Sequence, residues 1–418
     1  MANLAILGGK PLFNEEKKTE SPPWPPRDEE TAELLKQLYL SGEWSFNSKS
    51  EQEFERNFAA YHGAKYGVFM VNGTATLECS LAALGVKPGD EVIVPALTWM
   101  ATALSASYVG AVPVFVDIEP DTLCMDPEKV REAITPKTKA IIPVHAYGST
   151  ADLEKILAIA DAHGIPVVED CAHMHGGFWN GRGVGSWGKI GSFSFQQSKT
   201  MTSGEGGICI TNDPVLADRL FMLKHIGYSR GVAQGQAQKA PEGLLCHNYR
   251  ATAFQAVILN QQLKKLPELI RTYSENAAYL AELIRDIPGI RVQKPGRLAA
   301  PQGYYSFHFI FDGEDFADIP KEIINEICCA EGVGIGCGTH GPVYRHALFN
   351  LNLEKGEYRI HTGKCRVCES LYPRTLGIPH NVLLYRKNME LYSELLHKIH
   401  ENREEARQYA ASKKGKLS

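Results

Sequence analysis

Hydrophobic and polar positions repeat with two different periods between residues 60 and 170. Short runs rich in Val, Ile and Phe, typical of buried strands, are separated by stretches with helical periodicity. In one of these stretches, Asp152–Asp161, apolar residues recur three and four positions apart. The predicted strands are Tyr66–Val71, Glu91–Val94, Val112–Val116, Ala140–Val144 and Pro166–Glu169. Strands and helices that alternate at this spacing predict βαβ units in a mostly parallel sheet with helices on both faces.

The pattern changes after Asn248. A long helical pattern covers about 253–285, and a terminal helix is predicted over about 388–411. Between them lie fewer predicted strands, at 307–311 and 333–335. The second part of the chain is therefore predicted to form a smaller α+β unit.

Chain length also favours more than one domain, because 418 residues exceed what a single hydrophobic core usually holds. Residues 11–30 are polar and rich in proline, as in Ser21–Pro26, which predicts an extended segment. The expected organisation is an N-terminal arm over 1–30, a large domain over 31–270 and a small C-terminal domain over 271–418.

Composition and charge exclude several classes of protein. A hydrophobic fraction of 44% and a charged fraction of 22% are those of an ordinary globular protein, not of a disordered chain. Lys and Arg number 44 against 48 Asp and Glu, so the formal charge is −4 and neither a nucleic-acid nor a membrane partner is expected. No apolar run reaches the ~20 residues that a membrane-spanning helix needs.

The ten cysteines do not indicate a disulfide framework in a chain of this length. Several, such as Cys79 and Cys209, lie in apolar stretches, where cysteine acts as a small hydrophobic residue. The N-terminus lacks the features of a signal peptide, so a reducing cytoplasm is the expected location. Cys365 and Cys368 have the spacing of a metal-binding pair, but no second pair matches them, so no metal site is expected.

Two residues that suit cofactor chemistry stand out. Asp170 follows a predicted strand, and Lys199 lies twenty-nine positions later in a turn rich in Ser and Gly. Ligands of doubly wound sheets bind beyond the carboxyl ends of the strands. A Lys there can form a Schiff base with pyridoxal 5'-phosphate, while a carboxylate keeps the pyridine nitrogen protonated. Considered singly, Asp170 also suits a helix cap and Lys199 a solvated surface cation.

Three further segments suggest ligand contacts. Asn72-Gly-Thr74 opens a helical stretch, where backbone N–H groups can hold a phosphate or Thr74 can simply cap the helix. Trp99 follows the next strand and offers a flat ring for stacking, although a Trp is as compatible with a core position. Gly181–Gly185 resembles a dinucleotide motif but follows a polar turn, so a hairpin is predicted rather than an oxidoreductase site.

The segments Glu169–Gly176 and Phe193–Gly207 resemble, in order and spacing, the DegT/StrS family of sugar and cyclitol aminotransferases. The resemblance extends from Gly8-Gly9 to the C-terminal helix. It implies α/β architecture of PLP fold type I, with a mostly parallel seven-stranded sheet in the large domain and a smaller α+β C-terminal domain. It also implies a transaminase, because some dehydratases of the family have His where this chain has Lys199.

The resemblance implies a role for individual residues. Lys199 would carry pyridoxal 5'-phosphate and act as the catalytic base, and Asp170 would contact the pyridine nitrogen. The other implied cofactor-binding residues are Gly73, Thr74, Trp99, His173, Ser194 and Asn248. Family dimers contribute the last of these to the neighbouring subunit, which implies a homodimer with shared active sites.

Within the family, Phe195–Lys199 and Pro342–His346 most resemble members that use glutamine to aminate scyllo-inosose or 2-deoxy-scyllo-inosose. This implies an amino donor (glutamine or glutamate), a keto-cyclitol acceptor and a role in aminocyclitol antibiotic or related secondary metabolism. The implied substrate contacts are Tyr344, Arg345, His346 and His380. The alternatives are a nucleotide-keto-sugar aminotransferase, an enzyme like aminohydroxybenzoate synthase and, in another class, a non-catalytic regulatory protein that binds the cofactor.

Overall fold

The structure is a computed structural model that describes residues 3–14, 16–233, 235–236, 242–316, 318–338, 340–350, 358–360 and 363–414. Its strands, in chain order, are β1 (Tyr66–Met70), β2 (Glu91–Pro95), β3 (Val112–Val116), β4 (Thr138–Ile141), β5 (Val168–Asp170), β6 (Phe178–Trp179), β7 (Arg182–Gly183), β8 (Ile190–Ser194), β9 (Gly207–Thr211), β10 (Ile290–Val292), β11 (Ser306–Phe311), β12 (Cys337–Gly338), β13 (Arg359–Ile360) and β14 (Thr375–Pro379). Its helices are α1 (Glu29–Ser41), α2 (Lys49–Tyr61), α3 (Gly73–Ala83), α4 (Met100–Tyr108), α5 (Pro127–Ala133), α6 (Leu153–Ala162), α7 (Pro214–Lys224), α8 (Ala253–Leu283), α9 (Gly313–Phe316), α10 (Lys321–Ala330), α11 (Ala347–Asn350), α12 (Arg366–Leu371), α13 (Arg386–Glu401) and α14 (Arg403–Lys414). Among these helices, none is both long and apolar enough to cross a membrane.

The large sheet has the strand order β1-β9-β8-β5-β4-β2-β3, with the short strand β13 beside β3. Isolated bridges, Ile141 with Val167 and Val144 with Asp170, join its two halves at β4 and β5. The pairings are parallel except those of β9, which runs antiparallel to β1 and β8. The mostly parallel, seven-stranded sheet implied by the resemblance is confirmed. The sequence pattern itself did not predict β8, β9 or β13.

The strands of this sheet are apolar without alternation because helices cover both of their faces. Val92, Ile93 and Val94 are consecutive residues of β2, and none of them is exposed to solvent. Burying one such aliphatic side chain stabilises the fold by about 1.5–3 kcal/mol. The sheet is thus rigid, and the loops at the ends of its strands can hold functional residues in fixed positions.

A second sheet, β10-β11-β14-β12, is antiparallel and lies in the C-terminal part of the chain. Phe309 of β11 belongs to one hydrophobic cluster with Ile327 of α10 and Leu395 of α13. The expected smaller α+β region is therefore confirmed. Helix α8 runs without interruption through residue 270, so the proposed domain boundary falls inside a helix.

Several predicted elements are confirmed, and two are wrong. The long helix is α8, and β6 pairs with β7 as the hairpin expected around Gly181. Residues 333–335 form no strand, because the Ile335 N–H donates to Asn325 Oδ1 instead of to a neighbouring strand. The terminal helix is divided at Asn402, whose side chain donates to the Lys398 carbonyl and competes with the helical hydrogen bonds.

The N-terminal arm packs against distant parts of the chain. Residues 16–28 form no helix or strand, as expected for an extended segment. Before them, the N–H groups of Ala5 and Leu12 donate to the buried carboxylate of Glu331. Further along, Trp24 Nε1 donates to the Gln197 carbonyl at 2.8 Å. The arm thus contacts the loop that carries Lys199.

Candidate active site

A cavity of about 430 Å³ lies at the carboxyl ends of β1, β2, β5 and β8. The loops that follow these strands supply most of its walls, as expected for a parallel sheet. Seven of the eight predicted cofactor-binding residues line it, and the exception is Asn248. These seven are Gly73, Thr74, Trp99, Asp170, His173, Ser194 and Lys199.

Asp170 is buried at the end of β5 and is held by two donors. Thr102 Oγ1 donates to its Oδ2 at 2.8 Å, and the Ala172 N–H donates to its Oδ1 at 3.1 Å. Thr98 Oγ1 lies 2.7 Å from Thr102 Oγ1, which extends the network. Burial raises the pKa of Asp170 above its ordinary value, and the two hydrogen bonds and the charge of Lys199 oppose this shift.

Lys199 lies in the loop after β8. Its backbone N–H donates to the Gln196 carbonyl at 2.8 Å, and its side-chain Nζ lies 4.4 Å from the centre of the Tyr305 ring. Burial lowers the pKa of Lys199 to about 8, although the negative charge of Asp170 favours the protonated form. A lysine with this pKa supplies an appreciable fraction of neutral amine near physiological pH, as a nucleophile or base requires.

His173 is stacked on Tyr305, with ring centres 4.0 Å apart and planes 6° from parallel. The Tyr147 N–H donates to its Nδ1, which assigns the proton of the neutral ring to Nε2. Burial, followed by the charge of Lys199, lowers the pKa of His173 well below its ordinary value. The side chain is therefore a neutral hydrogen-bond donor in the cavity wall.

Helix α3 begins at the cavity, and Asn72 caps it by accepting from the Ala75 N–H at 2.8 Å. The cap is thus Asn72 rather than Thr74, which leaves the Thr74 side chain to line the cavity. A Cβ on Gly73 would lie 2.6 Å from Ser194 Cβ, so only glycine lets the helix start approach β8 this closely. The first N–H groups of a helix bind anions, which makes this corner suitable for a phosphate.

Trp99 is half-exposed, and its indole forms one wall of the cavity. A flat ring with an exposed face beside a buried carboxylate suits a planar heterocycle. Together with the helix start and the lysine, these residues fit pyridoxal 5'-phosphate, because a site for the phosphate, a carboxylate for the ring nitrogen and an amine for the aldehyde all line one cavity.

Asn248 does not line the cavity of its own chain. It lies between α7 and α8, where its backbone forms an isolated bridge with His225. The structure brings it to neither Asp170 nor Lys199 within one chain.

The four predicted substrate contacts do not line the cavity either. Tyr344 donates to Glu369 Oε1 at 2.7 Å, and Arg345 forms an ion pair with the other oxygen of the same carboxylate. His346 is exposed. His380 is buried behind the Lys199 loop, where its Nδ1 lies 3.0 Å from Tyr273 Oη and its Nε2 3.2 Å from the Ser198 carbonyl oxygen. Within one chain, these four side chains therefore contact other residues of the protein and do not face the cavity.

Several cavity residues were missed from the sequence, among them Thr98, Thr102, Tyr305 and His340. Thr98 and Thr102 are four positions apart after β2, a spacing that could have indicated a shared face. Tyr305 and His340 come from the C-terminal part of the chain, and no local pattern points to them. Tertiary packing alone brings them to the site.

A comparison with known proteins gives the class. The sequence model that describes the DegT/DnrJ/EryC1/StrS aminotransferase family matches residues 25–395. The chain belongs to this family. It is therefore an aminotransferase of the pyridoxal-phosphate-dependent type, and the inference from the two sequence segments is confirmed.

The similar proteins refine this result. The chain is 37% identical over 403 residues to L-glutamine:2-deoxy-scyllo-inosose aminotransferase of Streptoalloteichus tenebrarius, covering 91% of this chain and 93% of the relative. It is 40% identical over 316 residues to the enzyme of the same description from Streptomyces kanamyceticus, covering 73% of each.

Solved structures agree on the fold. 3-Amino-5-hydroxybenzoic acid synthase superposes with a TM-score of 0.81 at 31% identity, covering 91% of this chain and 98% of that one. The Escherichia coli GDP-4-keto-6-deoxy-D-mannose-3-dehydratase, whose structure holds hydrated pyridoxal phosphate, gives a TM-score of 0.78 at 25% identity, covering 90% and 99%. PLP fold type I is thereby confirmed.

Proposed function

We propose that this aminotransferase uses pyridoxal 5'-phosphate to move an amino group from glutamine, or glutamate, to a keto-cyclitol of the scyllo-inosose type. The observation that carries the proposal is that Asp170, Lys199 and Trp99 line one cavity beside the start of α3. The names of the glutamine-dependent relatives support the donor and the acceptor class. A role in aminocyclitol antibiotic or related secondary metabolism follows from this assignment.

The proposed cofactor contacts follow from the positions of the side chains. The start of α3, with Gly73, Thr74 and Ser194, would hold the phosphate, and Trp99 would cover one face of the ring. When bound, pyridoxal phosphate supplies an aldehyde and an electron-withdrawing ring that stores the amino group between two half-reactions. Asp170 would keep a positive charge on the ring nitrogen, since a buried carboxylate stabilises a nearby cation strongly.

Lys199 has two proposed tasks. Its Nζ would carry the cofactor and, once displaced by the donor, would remove the proton from the donor's amino-bearing carbon. The lowered pKa, about 8, lets the neutral amine act as a base and then return the proton. His173, with its proton on Nε2, would donate a hydrogen bond to an oxygen of the bound ring.

The charge of the cavity favours a neutral acceptor. Among the lining residues that the structure describes, Lys199 is the sole Lys or Arg, whereas Asp170 and Glu205 are acidic. A nucleotide-linked sugar carries a diphosphate that Arg or Lys side chains usually bind. Arg345, the nearest predicted candidate for this task, is paired with Glu369. These observations favour a free cyclitol over a nucleotide-keto-sugar.

The acceptor can be tested in single turnovers. Holoenzyme is first loaded with the amino group by glutamine, which should remove the yellow absorbance of the cofactor. It is then mixed with scyllo-inosose, 2-deoxy-scyllo-inosose or a dTDP-4-keto-sugar, and the return of that absorbance is followed. The cyclitols should react faster than the nucleotide sugar. The reverse order would overturn the acceptor class, and the absence of any bleaching by amino donors would instead favour a non-catalytic regulator.

We further propose that the enzyme is a cytoplasmic homodimer. The nine cysteines described by the structure are free, which suits a reducing compartment. The dimer is proposed because Asn248 does not line the cavity of its own chain, as expected for a residue that contacts the cofactor of a neighbouring subunit.

A further inference from the structure

His340 occupies a fixed position in the cavity wall. It lies between β12 and the single turn Val343–Arg345, and its ring centre is 5.0 Å from that of Trp99, at an interplanar angle of 61°. Its backbone N–H donates to Tyr147 Oη at 2.9 Å. Shortly after it, the Val343 N–H donates to the Ala96 carbonyl, which ties the segment to the loop that carries Trp99.

The imidazole of His340 has hydrogen-bonding capacity that the surrounding protein does not use. Neither ring nitrogen has a hydrogen-bond partner among the residues that the structure describes. Burial, and then the charge of Lys199, lowers the pKa of His340 to about 4, so the ring is neutral at physiological pH. A neutral imidazole offers one donor and one acceptor, and polar groups inside proteins are normally paired.

The chemistry of this ring distinguishes between ligand groups. A hydroxyl both donates and accepts, so it can bind either nitrogen of a neutral imidazole. A carboxylate or phosphate only accepts and is held best by a cation.

We propose that His340 is a specificity residue that binds a ring hydroxyl of the acceptor. This rests on the proposed function and adds a contact that discriminates between polyhydroxylated rings. The contact belongs to the second half-reaction, in which the ketone occupies the cavity. The amino acid donor of the first half-reaction has no ring hydroxyl, so loading by the donor is the internal comparison.

The test separates the two half-reactions. His340→Phe removes both nitrogens while keeping a flat ring, and His340→Asn keeps a donor and an acceptor. His163→Phe, at the exposed residue that follows α6 and does not line the cavity, is the matched control. Each holoenzyme is loaded with glutamine, freed of donor and mixed with increasing scyllo-inosose or 2-deoxy-scyllo-inosose. In His340→Phe the half-saturating acceptor concentration should rise about tenfold, as expected for the loss of one hydrogen bond, and loading by glutamine should be affected much less.

Acceptor analogues that each lack one hydroxyl show which hydroxyl His340 contacts. The wild type should discriminate against the analogue that lacks the contacted hydroxyl, and His340→Phe should lose this discrimination while His340→Asn keeps part of it. Unchanged discrimination in His340→Phe, or equal weakening of both half-reactions, would overturn the role of His340. If the wild type aminates neither cyclitol, the acceptor class fails and the role of His340 fails with it.

Discussion

Asp170 shows how single residues set the electrostatics of the site. Burial favours its neutral form, whereas the proposed task requires a carboxylate. Thr102 and the Ala172 N–H donate to separate oxygens and so favour the charged form in a fixed orientation. Thr98, which bonds Thr102, completes a chain of two hydroxyls behind the carboxylate.

Thr102→Val should weaken cofactor binding about tenfold, because a hydrogen bond to a charged group is worth roughly 1.5–3 kcal/mol and valine keeps the shape of threonine. Absorbance titration of the apoenzyme with pyridoxal phosphate measures the dissociation constant. Thr102→Ser, which restores the hydroxyl, should bind nearly as the wild type does. Equal affinities for the valine variant and the wild type would show that the hydroxyl has no part in holding the cofactor.

The pH dependence of cofactor capture should report the pKa of Lys199. Only the neutral amine attacks an aldehyde, and burial lowers this pKa from 10.5 to about 8. Capture should therefore accelerate as the pH rises through about 8 and level off above it. Stopped-flow absorbance measures the rate, and borohydride reduction with peptide mapping should find the adduct on Lys199. A rate that rises steadily towards pH 10, or an adduct on Lys189 or Lys224, would contradict the assignment.

The residues nearest to the chemistry were predictable, because strand ends and glycine-bounded turns have local signatures. Asp170 and Trp99 each follow a predicted strand, Lys199 lies in a turn rich in Ser and Gly, and all three line the cavity. Tyr305 and His340 were not predictable, since they reach the site through packing of the C-terminal part. Tyr344 does not line the cavity of its own chain, and the local sequence does not reveal Glu369, which accepts a hydrogen bond from its hydroxyl.

At the scale of elements, the start of α3 depends on the absence of a side chain at Gly73. Alanine there would place its Cβ 2.6 Å from Ser194 Cβ, closer than such atoms approach. Gly73→Ala should destabilise the protein by about 1–3 kcal/mol and weaken cofactor binding, because the helix start must move away from β8. Gly336→Ala, where an added Cβ meets open space, is the control and should be neutral. Thermal unfolding with and without cofactor measures both effects, and identical behaviour of the two variants would refute the close approach.

Elements with a strong period were predicted well, and those stabilised by side-chain contacts were not. Helices α6 and α8 and the parallel strands follow from their apolar patterns. The two-residue strand β13 has too little length for any period, and it exists because β3 offers it a parallel edge. The division of the terminal helix at Asn402 depends on side-chain bonds, including one from Asn3.

For the whole molecule, the surface near Asn248 suggests how a complete site could form. Leu245 is 81% exposed and Ile226 is 47% exposed, and the Ile226 N–H donates to the carbonyl of His247, two residues after Leu245. Exposed apolar groups of this kind favour contact with another protein surface. A second copy of the chain, placed here by two-fold symmetry, would receive Asn248 and return its own in exchange.

Hybrid dimers test this arrangement directly. Lys199→Ala lacks the proposed base, and Asn248→Ala lacks the residue proposed to cross to the neighbouring subunit, so each homodimer should have little activity. In a mixed dimer, one site combines both intact residues and the other has neither. Random exchange of equal amounts should therefore restore about a quarter of the wild-type sites. Activity is measured after subunit exchange has been verified with differently tagged protomers. Exchange without recovery would place both residues in the same chain's site, because a hybrid would then contain no intact site.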